Sequence, residues 1–96
     1  MKTAKNNVNR DEAERIAILA MTFLSEDDEV LGQFLALTGW TPAALQSEAA
    51  RPAFFSAVLE FLLNDETLLL AFSTNSGIRP ALIPAAHRQL EKNAFL

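Results

Sequence analysis

A chain of 96 residues, half of them hydrophobic, is enough for one small domain with a real core and too short for two. The absence of cysteine excludes disulfides, thiolate metal sites and thiol nucleophiles together. A net charge of −4 argues against broad binding to nucleic acid or anionic membrane, because attraction between basic groups and phosphate dominates nonspecific association with both.

Residues 1–8 are polar and lack an apolar period, which predicts a disordered tail ahead of a single domain over 9–96. The opening MKTAKNNVNR has no apolar run before Ile16 and so lacks the form of a signal peptide. Asn9 with Glu12 three residues on has capping-box spacing and predicts the start of a first helix. Ile16, Leu19, Ala20, Phe23 and Leu24 then fall on one helical face. Ser25 with Asp28 predicts a second helix start, where Glu26, Asp27, Asp28 and Glu29 oppose the positive end of the helix dipole. Val30, Leu31, Phe34 and Leu35 form its stripe, and Gly39 ends it. Thr41 as N-cap and Pro42 at the first position predict a short third helix over 42–49.

Pro52 opens a fourth helix carrying Phe54, Phe55, Val58, Leu59, Phe61 and Leu62, apolar nearly all round and so expected at the centre, with a self-association surface as the alternative. A fifth follows Asn64 and Asp65, carries Leu68, Leu69 and Phe72, and stops at Gly77. A sixth starts at Pro80 and places Leu82, Ile83, Ala86 and Leu90 on one face. The most apolar stretch, 53–72, is interrupted by Glu60, Asn64, Asp65 and Glu66, which excludes a spanning helix of roughly 20 uncharged residues. No segment alternates with the period of a strand. The predicted class is all-α, a compact bundle of about six short helices.

Slid against itself by 38 positions, the sequence pairs Phe23 with Phe61, Leu24 with Leu62, Asp27 with Asp65, Leu31 with Leu69 and Phe34 with Phe72. Gly39, Trp40 and Pro42 meet Gly77, Ile78 and Pro80. The pattern reads as two copies of a three-helix unit, each with a Gly-apolar-x-Pro corner. Glycine there takes the left-handed conformation, and proline blocks continuation of the old helix. The competing explanation is chance, since short helical proteins share Leu, Phe and capping residues. Trp40, the sole tryptophan, could anchor a partner. Its pairing with Ile78 favours an intramolecular plug beneath the corner.

Catalytic chemistry has little to draw on. His87 is the only histidine, tyrosine is absent, and glycines 32, 39 and 77 lie too far apart for a phosphate-binding loop. The acidic turns at Asp27–Glu29 and Asp65–Glu66 lack the alternating ligands of a calcium loop and are explained as helix starts. No cofactor, metal or small-molecule ligand is expected, and the chain is not expected to be an enzyme. The helix–Gly–helix grammar also fits a DNA-binding helix-turn-helix, whose reading helix would present Arg79, His87, Arg88, Gln89 and Lys92. Leu82 to Ala86, however, put apolar residues where base contacts normally sit. An apolar excess at Phe55, Leu63, Leu70 and Phe95 instead points to a surface for a protein partner or a second copy of the chain.

FLSEDDEVLGQFLALTGWTPAALQ, PAFFSAVLEFLLNDETLLLAF and SGIRPALIPAAHRQL together resemble a family of small bacterial proteins, mainly alphaproteobacterial. This is domain-of-unknown-function family three-five-seven-two, and the resemblance spans about Asp11 to Leu90. It implies a helical, bacterial, cytoplasmic protein, and it brings no catalytic residue, cofactor or ligand.

Overall fold

The computed structural model describes residues 8–41, 43 and 52–94. Among them run five helices and no strand: α1 Arg10–Ser25, α2 Asp28–Thr38, α3 Pro52–Leu63, α4 Glu66–Ser76 and α5 Leu82–Ala94. The expected helix over 42–49 lies outside the described residues, apart from Ala43, which is helical. Residues 1–7 of the expected tail also lie outside them. Val8 does not belong to that tail, for it is half-buried and packs against the core.

Each helix start is explained by the side chain that closes it. The Asn9 carboxamide accepts from Glu12 N at 2.8 Å, and the Glu12 carboxylate accepts from Asn9 N at 3.1 Å, a complete capping box. The expected cap at Ser25 is corrected to Asp27. The Ser25 hydroxyl is spent on Thr22 O, 2.9 Å away in the last turn of α1. The Asp27 carboxylate instead accepts from Glu29 N and Val30 N at 3.0 and 3.2 Å. One acceptor thereby satisfies two amides that the helix leaves without partners.

α5 starts at Leu82, two residues after Pro80. Pro80 and Ala81 form a turn in which Leu82 N and Ile83 N donate to Arg79 O and Pro80 O at 3.0 and 3.1 Å. Pro84 then falls in the first turn of α5, where no intrahelical bond is lost.

α1 and α3 form the middle, each touching all four other described helices, and the broadest contact joins α3 to α5. Ala13, Ala17 and Ala20 of α1 share the interior with Phe54, Val58, Leu59 and Leu62 of α3 and Ile83, Ala86 and Leu90 of α5. Small residues on α1 leave room for the aromatic ones on α3. Trp40 is the expected plug: its ring lies 5.0 Å from Phe54 and 6.0 Å from Phe34.

α2 and α4 share several local features. Both α2 and α4 hold 11 residues, start at an extended aspartate and end at a left-handed glycine, Gly39 at φ 77° and Gly77 at φ 76°. Thr38 and Ser76 each turn a hydroxyl back to a phenylalanine carbonyl, Phe34 O at 3.0 Å and Phe72 O at 2.7 Å. Each hydroxyl also accepts from the amide two residues on, Trp40 N and Ile78 N, both at 3.3 Å. Phe23 stacks near Phe72 at 5.5 Å, while Phe61 meets Phe34 at 5.4 Å. Adding 38 to the first residue and subtracting it from the second turns one ring pair into the other.

Candidate functional site

Among the described residues, three large hydrophobic side chains stand in solvent: Ile18 at 53%, Leu70 at 46% and Leu37 at 76% exposure. Leu37 is the extreme case. It projects from the last turn of α2, at the edge of the stripe that buries Phe34. On one flank lies a hollow of about 250 Å³ with Phe34, Thr38, Ala57 and Glu60 in its wall. On the other lies a hollow of about 390 Å³ with Gln33, Ala36 and Asp65. Leu37, Phe61 and Asn64 line both, so the two form one groove between α2 and the α3–α4 corner.

The α2 helix sets the groove's outer lip, and Phe61 forms its apolar floor because only part of that ring is covered by Phe34. The charged side chains on the rim are Glu60 and Asp65; among the described residues, neither hollow is lined by Lys or Arg. Asp65 caps α4 by accepting from Leu68 N at 3.1 Å. No Lys or Arg occurs in the sequence between Ile16 and Ala50, so α2 itself carries acidic side chains and no basic one.

Of the residues expected to form an interaction surface, three are described, and Leu70 is the exposed one among them. Phe55, at 6% exposure, belongs to the core, because α3 is covered on more than one side. Leu63 is half-buried and packed against the core, Leu70 stands alone on α4, and Phe95 lies outside the described residues. Sequence reasoning missed Leu37. The available signal was a mismatch, since at the 38-residue offset Leu37 stands opposite Asn75.

Of the basic set, Arg88 and Lys92 stand one helical turn apart on the exposed side of α5. Arg79 is exposed in the turn before α5, Arg88 and Lys92 are exposed on it, and His87 and Gln89 are half-buried. Ile83, Ala85 and Ala86 are buried, so the first two turns of α5 present their apolar side to the core. His87 Nε2 lies 4.0 Å from Glu60 and 3.9 Å from Glu91, beyond hydrogen-bond reach of either. Among the described residues no group of three His, Asp or Glu side chains could hold a metal ion. Nor is any described helix long and apolar enough to cross a membrane.

Residues 10–93 match the family described as Protein of unknown function (DUF3572). The chain belongs to this family. No curated protein and no solved structure matches it.

Proposed function

We propose that this DUF3572 protein is a non-catalytic module that works by binding protein, and that the Leu37 groove is its working surface. The observation that carries this reading is a leucine 76% exposed between two apolar hollows. A folded chain gains nothing by placing that side chain in water, whereas a partner that covers it does. Light scattering on the purified protein, with recovery of bound proteins from its native cell, tests the reading. A strict monomer from which no partner is recovered removes its support.

DNA binding through α5 is the second reading, favoured by the exposure of Arg88 and Lys92 on one helix. It expects a gel shift at low salt that Arg88→Ala with Lys92→Ala abolishes. No shift at low salt ends it.

We also infer that the chain descends from two copies of one three-helix unit. Matching aspartate starts, glycine stops, hydroxyl back-bonds and exchanged ring pairs at one constant offset support this. The sixth helix that this reading requires falls on residues outside those described.

A further inference from the structure

We propose that the Leu37 groove receives an amphipathic helix from a different protein, one with two apolar side chains a helical turn apart and Lys or Arg beside them. This rests on the reading of the chain as a protein-binding module and names the partner's chemistry.

The shape favours a helix. Phe34 and Thr38 lie to one side of Leu37 around α2, and Gln33 and Ala36 to the other, so the hollows sit on opposite flanks of one leucine. Side chains three or four apart on a helix are roughly 5–6 Å apart on the same face and can straddle such a ridge.

Charge decides between occupants. The rim offers Glu60 and Asp65, with Asp28 and Glu29 exposed at the other end of α2. A second copy docking the same face about a twofold axis would bring this acidic rim against itself, between bodies of net charge −4. Nucleic acid and anionic lipid are repelled for the same reason. A basic helix gains from the rim what a second copy would lose.

The test uses the full chain and three fluorescent synthetic helical peptides. They share one apolar pattern and differ in carrying Lys, Gln or Glu at the remaining positions, and binding is read by anisotropy. The Lys peptide is expected to bind most tightly. Leu37→Asp should weaken it about tenfold or more, although the substitution adds a negative charge, and Glu60→Lys should weaken it too. Circular dichroism verifies that both variants remain folded.

Undiminished or tighter binding to Leu37→Asp overturns the proposal, since the attraction would then be coulombic alone. Preference for the Gln or Glu peptide overturns it as well. So does a wild-type dimer that Leu37→Asp dissociates, because the occupant is then a second copy. If the Lys peptide fails to bind while a cellular protein stays attached equally to wild type and Leu37→Asp, the groove is refuted and the module reading stands. If neither peptide nor protein binds, both fall.

Discussion

The molecule contains a second hollow that corresponds, position by position, to one half of the Leu37 groove, the hollow walled by Phe34, Thr38, Ala57 and Glu60. Leu19, Thr22, Phe23, Glu26, Phe72, Asn75 and Ser76 line a hollow of about 290 Å³. Shifted by 38, forward for the first four and back for the last three, they become Ala57, Glu60, Phe61, Asn64, Phe34, Leu37 and Thr38, the lining of the first. The floors agree, phenylalanine against phenylalanine at 5.5 and 5.4 Å, and so do the hydroxyls at the back. The lips differ: Leu37 against Asn75, Glu60 against Thr22. Folding needs the floor, because those rings close the core. It does not need the lip, so the lip is where the halves can diverge and where binding specificity can be written.

If the floors are equivalent, breaking either should cost the fold heavily. Phe34→Ala and Phe72→Ala are each expected to lose about 3–5 kcal/mol in urea unfolding, with Phe34→Ala the worse. Phe34 contacts the rings of Trp40, Phe54 and Phe61 at 5.4–6.1 Å, whereas among the described residues Phe72 has the single aromatic neighbour Phe23. A harmless Phe72→Ala would show that the second half only resembles the first in outline.

The corners provide a milder comparison. A Cβ added at Gly39 or Gly77 meets nothing within 4 Å, so alanine there carries only the backbone penalty of a positive φ. Gly39→Ala and Gly77→Ala should therefore cost nearly the same, about 1–2 kcal/mol each by thermal unfolding. Valine, branched at Cβ, should cost more at both. A large difference between the two sites would mean that one corner bears a load the other does not. The caps come next. Asp27→Ala and Asp65→Ala should each cost about 0.5–2 kcal/mol, with Asp27 the more sensitive because its carboxylate serves two amides and that of Asp65 one.

Most of this architecture was legible in the residues because it is locally encoded. Asn9 with Glu12, and a glycine after each apolar stripe, act within a few positions of themselves, so spacing alone exposes them. Ser25 misled for a local reason too: two acceptors compete for one helix start, and the carboxylate at Asp27 reaches more donors. Phe55 and Leu37 were misjudged because burial is a property of the assembled helices. Phe55 sits on a helix covered on several sides, a fact set by α1 and α5 packing around it. Leu37 lies at the margin of its stripe, where a small rotation of α2 decides between core and water. The basic residues of α5 were counted correctly in the sequence, and the exposure of Arg88 and Lys92 follows from the opposite face, where Ile83 and Ala86 are buried.

The smallest effects on stability carry the most information about function. Leu37→Asp, at a side chain already 76% exposed, should change unfolding free energy by no more than about 0.5 kcal/mol. Asn75→Leu, on an exposed position of α4, should be equally mild. Their consequences for binding are opposite. If the leucine is what distinguishes the two lips, Asn75→Leu gives the second hollow the missing ridge above a matching Phe23 and Phe72 floor. Titration calorimetry with the Lys peptide should then move from one site per chain toward two. Glu26 supplies one carboxylate there, while Thr22 stands in place of Glu60, so the added site should be the weaker. A stoichiometry that stays at one would shift the distinction from the leucine to the carboxylates. Thr22→Glu combined with Asn75→Leu would then be the variant expected to open the second site.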